Sequence, residues 1–146
     1  MKQDNLTASD FYEACVCLGL NRAARATSRR YDAVFKPIGI TSGQFTILSA
    51  LRRDEPVPIS GMADLLGMDR TTLTRNLRPL EARELVVIQP DERDRRVRCL
   101  ALTAKGQELL KEAVPLWRKA QGESNRRIGP NRWGELRPSL DILSGA

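Results

Sequence analysis

Histidine is absent from this 146-residue chain. Without an imidazole there is no His-based nucleophile activation, no acid–base pair built on His and no zinc site of the Cys2His2 kind. Three cysteines remain, Cys15, Cys17 and Cys99, and Cys15-x-Cys17 lacks two further ligands at zinc-finger spacing. No glycine-rich phosphate loop of the usual types is present. These absences argue against an enzyme and against a resident metal or cofactor. No apolar run approaches the roughly 18 residues needed to cross a bilayer, and no hydrophobic signal segment follows Met1-Lys2. The expected location is therefore the cytoplasm, with no membrane partner, where thiols stay reduced. Internal repeats and low-complexity tracts are missing too.

What the chain has is positive charge: 24 Lys and Arg against 18 Asp and Glu give a net +6, which favours a polyanionic partner. A hydrophobic content of 41% argues against disorder, and the length suits one domain with a real core or two smaller lobes.

The clearest local pattern lies between residues 59 and 103. Ile59-Ser-Gly-Met-Ala-Asp-Leu-Leu-Gly67 reads as a short helix and turn, and Asp69-Arg-Thr-Thr-Leu-Thr-Arg-Asn76 opens a second helix with Asp69 as its N-cap. At about 100° per residue Leu73, Leu77 and Leu80 share one stripe, while Thr71, Arg75, Arg78 and Ala82 point the other way. Arginine offers guanine two donors, and threonine serves phosphate or the thymine methyl. Val86 to Gln89 and Val97 to Leu102 alternate as strands around the charged loop Pro90-Asp-Glu-Arg-Asp-Arg-Arg96. A basic helix beside a charged hairpin outlines a winged helix-turn-helix, able to place the helix in the major groove and the loop beside it. Candidate groove residues are Thr71, Arg75 and Arg78, with Arg70, Thr72 and Ser60 as phosphate contacts. In this reading Ser60 also caps the helix before the turn, Arg95 and Arg96 form the wing tip, and Asp94 orients Arg96 by a charge-assisted bond. Pro79 inside the second helix predicts a kink or local distortion after Asn76.

The flanks read as long helices. One is expected from about Ser9 to Phe35, ended by Lys36-Pro37 and too long for a lone surface helix of a small lobe. On such a helix Cys15 and Cys17 would not face each other, which speaks against a disulfide between them. Thr41 and Gln44 form a capping-box pattern, and residues 54–58 with two prolines read as a loop. After a Thr103 cap, Leu109, Leu110, Ala113 and Trp117 mark one amphipathic helix, and Trp133, Leu136, Leu140 and Leu143 mark another. Their apolar stripes suggest a dimer interface. The segments are 1–38 for an N-terminal dimerisation helix, 39–103 for the winged lobe and 104–146 for C-terminal dimerisation helices. The fold class is mainly α with a small β-hairpin wing.

Several stretches together resemble the multiple antibiotic resistance regulator (MarR) family of bacterial transcription factors. They are Gly39-Ile-Thr-Ser-Gly-Gln-Phe45, Met62-Ala-Asp-Leu-Leu-Gly67, Asp69 to Asn76, Leu80-Glu-Ala-Arg83, Asp91-Glu-Arg-Asp-Arg-Arg96 and Leu102-Thr-Ala-Lys-Gly106. The resemblance covers nearly the whole chain in order. It implies an intertwined homodimer that binds a short inverted repeat of double-stranded DNA and represses nearby genes until a small molecule or oxidant releases it. Arg96 matches the family's wing arginine. A ligand crevice between the dimerisation helices and each lobe is also implied, for a small aromatic or anionic compound. Tyr12, Cys15, Asn21, Arg25 and Phe45 are candidate lining residues.

Two rival functions stay open. In the hydroperoxide-sensing branch of the family a reactive cysteine near the start of the first helix is hydrogen-bonded by tyrosines. Cys17 matches that cysteine and Tyr31 one of the tyrosines, whereas Asn21 and Ser42 stand where others are expected. A winged-helix protein-interaction module is the second rival, because fold alone does not fix function. An apolar recognition face would favour it, and here that face carries hydroxyls and cations.

Overall fold

The computed structural model describes residues 7–145; the Met1-Lys2 opening, and with it the start of segment 1–38, lies outside them. Helices α1 (Ala8–Ala14) and α2 (Val16–Phe35) lead through a 3-10 turn at Lys36–Ile38 into α3 (Ser42–Ala50). The winged unit follows as β1 (Val57–Pro58), α4 (Ile59–Leu66), α5 (Arg70–Ala82), β2 (Val86–Pro90) and β3 (Arg98–Leu102). Two helices close the chain, α6 (Ala104–Ile128) and α7 (Arg132–Ser144). No helix among the described residues is long and apolar enough to cross a membrane.

The core fills the space between α3, α4, α5, the sheet and the first half of α6. Phe35, Ile47, Leu48, Met62, Leu80, Leu85 and Leu100 are completely or almost completely shielded from solvent, and Leu73 and Leu77 bury the expected stripe of α5 against them. Phe45 stacks on Phe35 with ring centroids 4.7 Å apart, tying α3 to the end of α2. The sheet is antiparallel in the order β1-β3-β2, with Val86 opposite Leu102 and Gln89 opposite Cys99.

Capping residues set three helix starts where the sequence places them. Thr41 and Gln44 exchange the two bonds of a capping box at α3, Asp69 accepts from the Thr72 amide at α5, and Thr103 accepts from the Gly106 amide at α6.

Three local expectations are corrected. The helix expected from Ser9 to Phe35 is two helices, because Cys15 adopts extended backbone (φ −76°, ψ 105°) and its Sγ accepts from the Leu18 amide as the cap of α2. Ser60 does not cap α4; Pro58 holds the N-cap position with no side-chain bond, and Ser60 lies inside the first turn. Residues 57–58 are not loop but a strand, Val57 pairing with Leu100 and Pro58 with Cys99, because a short edge strand can tolerate proline. Pro79, after which a kink or local distortion is expected from the sequence, lies within α5, which runs on to Ala82. Proline has no amide to donate to the preceding turn, and burial of Leu77 and Leu80 on either side of it packs the helix against the core.

Candidate nucleic-acid interface

The turn that presents α5 is built from three residues. Gly67 ends α4 in left-handed geometry (φ 60°), Met68 returns an amide bond to the Ala63 carbonyl, and Asp69 starts α5. The Asp69 carboxylate accepts from both the amide and the hydroxyl of Thr72, at 2.7 and 2.8 Å. Those two bonds, the amide foremost, hold its pKa below the usual carboxylate value. Thr72 is half-buried with its hydroxyl committed to this cap, whereas Thr71, Arg75, Arg78 and Ala82 are exposed along the outer face. Among the described residues the ion pairs lie elsewhere, at Glu84, Glu108, Glu123 and Asp141, so the guanidinium groups of Arg70, Arg75 and Arg78 are not neutralised within the chain.

The wing loop is shaped by aspartates. Asp91, which the sequence reading left unassigned, accepts from the amides of Arg93 and Asp94 at 2.8 and 3.0 Å, and its own amide donates to the Val97 carbonyl. Those amide bonds depress its pKa, that of Asp94 most. The buried Cys99 thiol lies 3.8 Å from the other Asp91 oxygen, and burial followed by the Asp91 charge pushes that thiol's pKa up. Asp94 was expected to bind the Arg96 guanidinium; it accepts instead from the Arg96 backbone amide at 3.0 Å. A short aspartate reaches a backbone amide two residues on more readily than a flexible, exposed guanidinium. The signal that could have exposed Asp91 was its place directly after Pro90 at the first position of a tight turn.

Helix and wing converge on one hollow of about 480 Å³, lined by Ile59, Ser60, Ala63, Arg70, Leu73, Thr74, Arg96, Val97 and Arg98. Three expected residues from separate segments, Ser60, Arg70 and Arg96, thus meet at one place. Arg98 and Thr74 join them without having been anticipated; Arg98 sits where β3 leaves the wing. Arg95 is exposed at the loop tip.

The residues proposed for a ligand crevice are not gathered within one chain. Tyr12 is 55% exposed with the Arg22 guanidinium 4.4 Å over its ring, Cys15, Asn21 and Arg25 are exposed, and Phe45 packs on Phe35. A cavity of about 610 Å³ lies elsewhere, between Leu51, Arg52, Arg53 and Asp54 on one side and Leu102, Leu110, Val114 and Arg118 on the other. The Cys17 thiol is exposed and accepts from Asn21 Nδ2 at 3.2 Å. Tyr31 stands fourteen residues further along α2, about 21 Å of helix rise away, and donates to Gln121 Oε1 at 2.7 Å.

Comparison with known proteins agrees with this geometry. The family model described as MarR family matches residues 38–97. The transcriptional regulator MosR of M. tuberculosis, solved in complex with DNA, is 36% identical, with a TM-score of 0.79 over 90% of this chain and 94% of that one. The HTH-type transcriptional repressor NicR of Pseudomonas putida is 33% identical over 99 residues, spanning 65% of this chain and 63% of its own length. The organic hydroperoxide resistance transcriptional regulator of Bacillus subtilis is 28% identical over 101 residues, 69% of each chain. A cation-bearing recognition helix, a wing that shares a hollow with it, and likeness to MosR over nine-tenths of both chains lead to one conclusion: the chain belongs to the MarR family of DNA-binding transcriptional regulators.

Proposed function

We propose that the chain is a homodimeric repressor of an inverted-repeat operator, released by a small aromatic or anionic ligand. Convergence of Ser60, Arg70 and Arg96 on the hollow between α5 and the wing carries the reading. Thr71, Arg75 and Arg78 face outward from α5 and read the major groove. Arg70 in the first turn of α5 and Ser60 in the first turn of α4 lie at helix N-terminal ends, where the dipole favours phosphate, whereas Thr72, expected as a phosphate contact, gives both its amide and its hydroxyl to Asp69. Arg95 and Arg96 reach the adjacent minor groove or its phosphates, with Asp94 fixing the Arg96 backbone.

Two-fold symmetry would separate the two copies of α5 by about 34–36 Å, one turn of DNA. Support for the dimer comes from apolar surface: Phe11, Val16, Leu20, Trp133, Leu136, Ile142 and Leu143 are all more than 36% exposed on α1, α2 and α7. A ligand that binds better when the lobes are spaced wrongly for DNA weakens the complex by that difference in affinity. The name NicR, a repressor, supports the direction of control.

The test is affinity for the duplex flanking the protein's own gene against random duplex of equal length, across a salt series. A preference of roughly a thousandfold with steep salt dependence is expected. Equal affinity for both duplexes at every salt would overturn the reading.

A second reading uses Cys17 as a hydroperoxide sensor. It is favoured by the exposed Cys17 thiol at the first turn of α2 and by likeness to the B. subtilis regulator. Under it, Cys17→Ser removes release by peroxide; an unchanged peroxide response in that variant rules it out.

A further inference from the structure

Two stretches singled out in the sequence take no part in the DNA interface: Leu80-Glu-Ala-Arg83 at the end of α5, and Leu102-Thr-Ala-Lys-Gly106 at the start of α6. They meet. Arg83 is the residue that ends α5, its amide still bonded to the Pro79 carbonyl. Its guanidinium reaches across the lobe, Nη1 donating to the Gly39 carbonyl at 2.6 Å and Nη2 to the Ile38 carbonyl at 3.2 Å. Those two carbonyls lie at the end of the 3-10 turn that follows α2, where Gly39 takes left-handed geometry (φ 67°). The next residue, Glu84, also turns left-handed (φ 59°), and its carbonyl accepts from the Thr103 hydroxyl at 2.6 Å. The Leu85 carbonyl accepts from the Thr103 amide at 3.2 Å. Gly106 packs so closely on that carbonyl that a Cβ there would overlap it.

Three consecutive residues therefore hold the ends of three helices: α5 directly, α2 through Arg83, and α6 through Thr103 and Gly106. We infer that the Arg83–Leu85 turn is the joint through which the dimerisation helices set the pose of the recognition helix, with Arg83 as a positioning residue. The inference rests on the proposed function above for its consequence at DNA.

Arg83 suits this task better than a lysine, because a planar guanidinium donates to two carbonyls at once from a fixed fork. It also lies about 110° around α5 from the outer face of Thr71, Arg75 and Arg78, with both terminal nitrogens bonded to backbone carbonyls, so it is turned away from DNA. Leverage does the rest. Thr71 stands twelve residues away, about 18 Å up the helix, so a tilt of about 5° at the joint displaces it by about 1.6 Å. Base readout by side-chain hydrogen bonds does not survive a shift of that size.

The joint is tested first without DNA. Spin labels are attached to Ala24→Cys on α2 and Thr71→Cys on α5, in a Cys15→Ser, Cys17→Ser background, and labelled chains are diluted into unlabelled chain so that only the distance within one chain is read. A narrow distribution is expected in that background, a broadened or shifted one with Arg83→Ala, and an intermediate one with Arg83→Lys, which keeps the charge and one bond. An unchanged distribution in a folded Arg83→Ala chain, or in Arg83→Lys where Arg83→Ala fails to fold, overturns the joint.

On the duplex flanking its own gene, with native cysteines, Arg83→Ala should lose about tenfold in affinity while its salt slope and its affinity for random duplex stay as in the unmodified protein. Equal loss on both duplexes with a slope lower by about one would show Arg83 to be a phosphate contact and refute the positioning role. If the unmodified chain prefers neither duplex, the repressor reading fails while the distance measurement still decides the joint.

Discussion

Between Phe35 and Ala113 every α-helix and strand places at least one side chain in a common core, whereas α1 and α7 bury none. The contrast extends to the surface. Nine of the eleven large apolar residues left exposed among the described residues belong to α1, α2, α6 and α7; only Leu65 and Val87 belong to the winged lobe. A lobe of some seventy residues has closed on itself, while the terminal helices keep apolar faces that one chain cannot cover. The lobe owes its shape to intrachain packing, and the terminal helices owe theirs to whatever lies against them.

That difference predicts opposite responses to losing a large side chain. Leu80→Ala opens a cavity at the fully buried centre of the lobe and should cost about 3.5 kcal/mol in unfolding free energy, read as a lower denaturation midpoint at unchanged m-value. Trp133, 43% exposed on α7, should behave otherwise. Trp133→Ala should leave the lobe's stability in place and weaken self-association by about 2.5 kcal/mol, seen by sedimentation as a dimer that dissociates at higher concentration. If Trp133→Ala instead lowers the lobe's midpoint as Leu80→Ala does, the two regions form one cooperative unit within a single chain. Smaller again is the effect of Arg75→Ala, which touches neither core nor dimer. It should cost about 1.5 kcal/mol on specific duplex and relax base preference at one position, measured by competition against single-base variants.

The same contrast marks what was legible in the sequence. Leu73, Leu77 and Leu80 were readable because burial within one chain imposes a period on the residues that make it. Caps at Thr41, Asp69 and Thr103 were readable because the side chain and its amide lie three residues apart. The break at Cys15 was not, since cysteine seldom caps a helix and no proline or glycine marks the spot. β1 was missed because two residues carry no alternation, and its existence depends on pairing with β3 some forty residues later. The wing arginines were found from charge, but the aspartate that shapes their loop was not. Asp91 acts on backbone amides, and that depends on the turn geometry rather than on opposite charge. Long-range bonds such as Arg83 to Gly39 leave no local pattern at all.

The finest test of the comparison uses two aspartates in like roles. Asp69 caps α5 inside the lobe, and Asp10 completes the capping box of α1, accepting from the Thr7 amide and hydroxyl at 2.6 Å each. Both carboxylates are held below their ordinary pKa by these bonds, Asp10 chiefly by the Thr7 hydroxyl and Asp69 chiefly by the Thr72 amide. A depressed folded-state pKa contributes stability that is present above the unfolded value and disappears as pH falls through the folded one. Each cap should therefore weaken on the acid side of the usual carboxylate range. Asparagine caps a helix about as well but does not titrate there. Asp69→Asn should accordingly leave neutral stability unchanged and flatten the acid dependence of lobe unfolding, followed by amide exchange in α3, α5 and β3. Asp10→Asn should change exchange in α1 alone, because a helix with no buried residue frays without disturbing the core. Should Asp10→Asn flatten the lobe's acid dependence as much as Asp69→Asn does, α1 must be coupled to the lobe by contacts that a single chain does not contain, and the partner's lobe is where they would be.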